Sequence, residues 1–196
     1  MTNGRPLQYD PDKALHAAMQ LFWSKGYEAT SMQDLLTAME LSKSSLYQGF
    51  GGKKELFIRC LERYRTHMYE TFRQLLDTSK SGLKFIETIL LNSASEARHP
   101  DHLRRGCLLM NTASEFAQKD KQVAEHVTIG FKGLRKALKV AVQRGQQDGS
   151  ITSDLDAGIL ANYLACSLGG IKTVVKGGGD EKSVKEIVEV ILKTLA

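Results

Sequence analysis

Between Ser31 and Phe50 the chain reads SMQDLLTAMELSKSSLYQGF, and its polar residues are spaced to do one kind of chemistry. Leu35, Met39, Leu41 and Leu46 recur at the intervals of two short helices meeting at a corner, Met39-Glu40-Leu41, which is too brief for antiparallel packing. With those apolar residues turned inward, Lys43, Ser44, Ser45, Tyr47 and Gln48 face outward on the second helix. Hydroxyls and an ammonium bond phosphate oxygens, which fixes register on a duplex. A lysine also donates to guanine, while small hydroxyls are permissive readers of base edges in the major groove. The plainer reading is a surface helix rich in Ser and Lys.

Those residues need rigid carriers, and the sequence supplies helices throughout. Its 196 residues are 42% hydrophobic and 25% charged, the balance of a soluble globular protein with a core, and suit one domain or two small ones. Prolines are confined to Pro6, Pro11 and Pro100, and alternating β-branched runs are missing, so the expected fold class is all-α with about nine helices. A first helix should start with Asp10 as N-cap and Pro11 at its first position, and stop at Gly26. Thr30-Ser31 should open the second, with Gln33 or Asp34 completing a capping box. Ser42 should cap the third, Lys43 to Gln48. A fourth should run from near Lys53 into the seventies, burying Leu56, Phe57, Cys60, Leu61, Tyr64 and Met68. Later helices are expected near 82–97, 104–117, 121–147, 154–176 and 180–195.

The net charge of +5 permits a polyanionic partner without requiring one. No run of about 18 uninterrupted apolar residues speaks for a membrane span. The N-terminus lacks the apolar run of a secretory signal, which reads as a cytoplasmic protein. Cys60, Cys107 and Cys166 are an odd set without a close pair, so neither a disulfide framework nor a zinc ribbon is expected. His99-Pro100-Asp101-His102 has no third or fourth ligand nearby and reads as a connector, so no metal and no cofactor is expected. A small helical enzyme is the competing class. Against it stands the lack of a phosphate loop, a metal signature or a nucleophile elbow.

The segments Gly26 to Met32 and Leu41 to Tyr47, followed by Phe50, Lys53, Glu55, Leu56 and Phe57, resemble the TetR family of bacterial repressors over about residues 8–68. The resemblance implies a repressor that acts as a homodimer on a palindromic operator of double-stranded DNA and is released by a small-molecule effector. It places Thr30, Tyr47 and Lys53 as phosphate contacts, and Lys43, Ser44 and Ser45 toward the bases, with Ser31, Ser42 and Gln48 in the same reading surface. The implied organisation is a flexible basic arm at 1–7, a helix-turn-helix domain at 8–68 whose recognition element is 31–50, and an effector-binding and dimerisation domain at 69–196. Two departures stand out. Gly49 replaces the His or other backbone-reaching side chain of many relatives, and Gly51-Gly52 replaces the usual polar cap, so a looser grip on DNA is expected.

Arg105 to Glu115 resembles a TetR subgroup with a Gly-Cys-Leu segment in its sixth helix, and the family's cavity lies among helices 4 to 8. The pocket candidates are Tyr64, His67, Met68, Phe85, Ile89, Cys107, Met110, Asn111, Phe131, Leu134, Tyr163 and Ser167, residues that would serve equally well as core. Cys107 follows Arg104 and Arg105 at a helix start, which favours a reactive thiolate and hence a redox or electrophile trigger. A buried small hydrophobe is the plainer alternative, and Cys60 and Cys166 are expected in the core. The family's dimer is formed by the last two helices, which here carry wide apolar surfaces; the alternative is a monomer that buries them.

Overall fold

A computed structural model describes residues 9–116 and 119–196. The expected arm at 1–7 lies outside them. Among the described residues the regular structure is helical: α1 (Pro11–Lys25), α2 (Met32–Met39), α3 (Lys43–Phe50), α4 (Lys53–Thr78), α5 (Gly82–Ser95), α6 (Leu108–Phe116), α7 (Lys121–Asp148), α8 (Ala157–Lys176) and α9 (Glu181–Lys193). Two short 3-10 turns, Glu96–Arg98 and Asp101–Leu103, lie between α5 and α6. The chain divides into two compact units at Tyr64 and Arg65, within α4.

Helix starts follow short-range chemistry. Asp10, Ser31, Ser42, Ser81, Asp120, Asp156 and Asp180 each stand at an N-cap with the side chain accepting a backbone N–H of the first turn, where four donors otherwise lack partners. The sixth helix begins at Leu108 rather than near 104. Gly106, at φ 67°, turns the chain left-handed just before it, and an L side chain rarely adopts that conformation.

In the first unit, α1 packs on α2 around Ala18, Met19, Phe22, Leu35, Met39, Leu46, Phe50, Leu56, Phe57 and Leu61, all buried. Cys60 belongs to this core as expected. Its thiol donates to the Leu15 carbonyl at 3.8 Å, and burial pushes its pKa up, which leaves it inert.

In the second unit, α5 packs against α7, α8 and α9, and its buried face of Phe85, Ile86, Ile89, Leu90 and Ala94 meets Leu134, Leu138, Leu160, Leu164, Val184 and Val188. The end of α7 also caps the start of α5. Gly82 N–H donates to Asp148 Oδ2 at 3.0 Å, and Leu83 N–H donates to Ser150 Oγ at 3.3 Å. Bonds from the Ser150 hydroxyl and from the N–H groups of Gly82 and Ser150 hold the Asp148 carboxyl below the usual carboxylate range. By length and composition α8 is apolar enough to cross a membrane, although Asn162, Ser167 and Lys172 interrupt its apolar run; one of its faces lies in this core. The opposite face leaves Ile159, Tyr163 and Val174 exposed, alongside Ile187 and Val190 of α9.

Candidate functional site

The corner between α2 and α3 is held by backbone bonds. Glu40 N–H reaches Thr37 O at 3.3 Å and Leu41 N–H reaches Leu36 O at 3.0 Å. Glu40 itself sits at φ 54°, ψ 40°, the one non-glycine residue with positive φ among the described residues. That conformation costs an L-residue about 1–2 kcal/mol, and the sharp corner is what it makes possible.

Upstream, the capping box of α2 forms with Asp34: Ser31 Oγ accepts the Asp34 N–H at 3.0 Å while Asp34 Oδ2 accepts the Ser31 N–H at 2.9 Å. Lys25, from the last turn of α1, donates to the same carboxylate at 2.7 Å. The Lys25 bond and those from Ser31 lower the Asp34 pKa to about 2. A folded pKa below the ordinary value of about 3.9 means stability that is complete above that value and lost as pH falls toward 2. Wild-type melting temperature is therefore expected to drop more steeply between about pH 4 and pH 2 than that of Asp34→Asn, in a thermal unfolding series. Parallel curves for the two proteins would contradict the assignment.

The helix α3 buries Leu46 and Phe50 and exposes Lys43, Ser44, Tyr47 and Gln48, with Ser45 half-buried. Ser42 is already committed. Its Oγ accepts the Ser45 N–H at 3.2 Å and lies 2.9 Å from both Ser44 Oγ and Ser45 Oγ. It orders the two hydroxyls that follow as well as capping the helix. Lys53 is half-buried, with its ammonium 4.2 Å from the centroid of the Tyr27 ring, a cation–π contact that fixes the charge in place.

One candidate is relocated. Thr30 is fully buried and its hydroxyl donates to Gly26 O at 2.6 Å. The side chain locks the turn after α1 and presents no donor at the surface; the exposed hydroxyl of the pair is Ser31. The glycine-rich exit of α3 is also firmer than its composition suggests. Glu55 reaches back so that Gly52 N–H donates to Oε2 at 3.0 Å, which is half a capping box. Arg59 donates to Gly49 O at 2.9 Å. This arrangement argues against the loose joint expected from three glycines.

The pocket candidates scatter. Met110, Phe131 and Leu134 line a cavity of about 640 Å³ among α6, α7 and α8, together with Arg135, Asn162 and Cys166. Phe131 also borders a cleft of about 460 Å³ between α6 and α7, with Thr112 and Phe116. Tyr163 and Ser167 lie instead in a cleft between α8 and α9. Phe85 and Ile89 are core, and Tyr64 stacks edge-on to Trp23 at 5.0 Å within the first unit. Asn111 is occupied by a bond from Nδ2 to Arg105 O at 2.8 Å. His67 is exposed, Met68 half-buried and Cys107 buried. Cys166, expected in the core, is exposed, because that side of α8 borders the cavity.

Two glycines of α7 admit close approaches from neighbouring helices. A Cβ on Gly133 would overlap the Tyr69 hydroxyl of α4, and one on Gly130 would overlap Leu109 of α6. The Tyr69 hydroxyl donates to Ile129 O at 3.1 Å. Further along, Arg144 of α7 donates to Leu76 O at 2.6 Å and Ser79 O at 2.7 Å, capping the end of α4.

Comparison with known proteins gives two family matches. Residues 14–60 match "Bacterial regulatory proteins, tetR family", and residues 87–191 match "Tetracyclin repressor-like, C-terminal domain". The HTH-type transcriptional regulator YezE of Bacillus subtilis (strain 168) is 28% identical over 193 residues, covering 98% of this chain and 99% of its own. The HTH-type transcriptional repressor ComR of Escherichia coli (strain K12) is 25% identical over 192 residues, covering 98% and 91%. Among solved structures, a cysteine mutant of the regulator CifR, complexed with 26-bp double-strand operator DNA, superposes with a TM-score of 0.85. It is 28% identical, and the match covers 98% of this chain and 100% of that one.

Proposed function

Since the chain belongs to the TetR family of bacterial regulatory proteins, we propose that it represses transcription as a homodimer bound to a palindromic operator and leaves the DNA when a small amphipathic molecule enters its second unit. The observation that carries this reading is the α2–α3 corner with Lys43, Ser44, Tyr47 and Gln48 exposed on one short helix and Lys53 fixed beside it. Two copies of α3 held about 34–36 Å apart enter successive major grooves. In this reading Ser44 and Gln48, one turn apart, face base edges, while Tyr47, Lys53 and Ser31 hold phosphates. The exposed apolar residues of α8 and α9 pair with their copies in the dimer.

Release is a population shift, and an effector drives it only through different affinities for the two states. Its proposed seat is the α6–α7–α8 cavity, whose apolar lining with Asn162, Thr173 and Arg135 suits an amphipathic guest. The route to α4 runs through α7, because Tyr69 and Arg144 bond the two helices together. The alternative trigger, Cys107, is a buried thiol, less open to a reagent than the exposed Cys166.

The test is a gel-shift titration on the DNA upstream of the protein's own gene, against a random-sequence duplex of equal length. Wild type is expected to prefer the upstream fragment. Ser44→Ala combined with Gln48→Ala should lower that preference at least about 10-fold, since each good base contact discriminates by about 1–3 kcal/mol. Binding to the random duplex should change little. An unaltered preference in the double variant removes α3 as the reader.

A further inference from the structure

Tyr9 stands just ahead of the α1 cap, yet its ring lies against the end of α3, 6.2 Å from the centroid of Phe50. A Cβ on Gly49 would overlap the Tyr9 hydroxyl oxygen and stand 3.4 Å from its Cζ. The hydroxyl therefore occupies the place where a side chain of residue 49 would begin. Tyr9 is half-buried, and among the described residues its hydroxyl has no hydrogen-bond partner. Arg59, with its guanidinium 5.6 Å from the Phe50 ring centroid and one N–H on Gly49 O, adds a positive charge beside it.

Successive helical residues are turned by about 100°, so Tyr47 and Gly49 lie on opposite flanks of the outward-facing Gln48. A helix with its side chains is about 10–12 Å across and the major groove about 12 Å wide, so both flanks come against a phosphate backbone. One flank has the Tyr47 phenol. The other has a glycine, with the Tyr9 hydroxyl in its place. We propose that the Tyr9 hydroxyl donates a hydrogen bond to a DNA phosphate on the Gly49 side of α3, so that the recognition helix is held by both strands, and that residue 49 is glycine because the tyrosine needs the space. The proposal rests on the DNA-binding reading above.

Tyr9→Phe keeps the ring on Phe50 and removes only the hydroxyl. It is expected to weaken binding to the upstream fragment and to the random-sequence duplex alike, by about 10-fold, because a phosphate contact carries no sequence information. The slope of log affinity against log salt should stay unchanged, since a neutral hydroxyl displaces no counterion. Gly49→Ala should give a similar loss by pushing the hydroxyl aside, and the double variant should be no weaker than Tyr9→Phe alone. If wild type binds neither duplex, the DNA-binding reading itself fails. If wild type binds and Tyr9→Phe matches it, loses affinity for one sequence only, or adds its loss to that of Gly49→Ala, the role of Tyr9 is overturned while that reading stands.

Discussion

Gly82→Ala is expected to destabilise the second unit by about 3 kcal/mol or more, the upper range for overpacking. The added methyl would overlap Ala141 O and Gly145 N and lie 2.7 Å from Gly145 Cα. All three are backbone atoms of α7, so no rotamer change relieves the clash. The two helices must separate, and separation also stretches the bond from Gly82 N–H to Asp148 Oδ2. At this chain length such a loss lowers the melting temperature by about 6–12 °C, readable by circular dichroism. Gly49→Ala is the contrasting case. There the obstruction is the far end of one tyrosine side chain, which can swing away, so stability should hardly move. A Gly82→Ala protein that melts with wild type would mean that α5 and α7 are not as close as described.

Phe57→Ala is expected to cost the first unit about 3–5 kcal/mol, as truncation of a buried aromatic does. Phe57 is 1% exposed and wedged between Phe22 and Tyr27, with ring centroids 4.9 Å from each. Tyr27 in turn seats the Lys53 ammonium. The cavity left by Phe57 therefore loosens a charge assigned to DNA as well as the core. Urea unfolding measures the first effect. For the second, the salt dependence of DNA binding at temperatures where the variant is folded should resemble that of Lys53→Ala, which is expected to lower the slope by about one per site. A Phe57→Ala slope equal to that of wild type would separate Tyr27 from the positioning of Lys53.

Local rules made much of the helical layout readable. Asp10, Ser31 and Ser42 act through donors two or three residues away, and such spacing is visible in a sequence. Asp34 as the capping-box partner and Gly26 as the stop of α1 belong to the same class. Where a helix end depends on backbone sign, as at Gly106, a pattern of apolar residues runs on past the true boundary. The grip of Glu55 on Gly52 is legible in principle, because it is a capping interaction across three residues.

Contacts across long sequence separations were not legible. Nothing near Thr30 distinguishes a surface hydroxyl from one folded under onto Gly26 O. Tyr9 and Gly49 are forty residues apart in the chain, and the closeness of the hydroxyl to residue 49 exists only in the folded unit. Three- and four-residue spacing places Phe85 and Met110 alike on inward faces, so it does not separate a pocket wall from core. Whether a gap remains in front of a side chain depends on what its neighbours fill: Phe85 meets Phe72 edge-on at 6.2 Å, whereas Met110 borders the cavity.

The joint between α4 and α7 has an unusual economy. Tyr69 and Arg144 supply its side chains, and every acceptor is a backbone carbonyl: Ile129 O, Leu76 O and Ser79 O. Every non-proline residue carries that same acceptor. Mutation can therefore exchange the side chains at 76, 79 and 129 without removing an acceptor from the joint, whereas it has two positions, 69 and 144, at which to lose a donor.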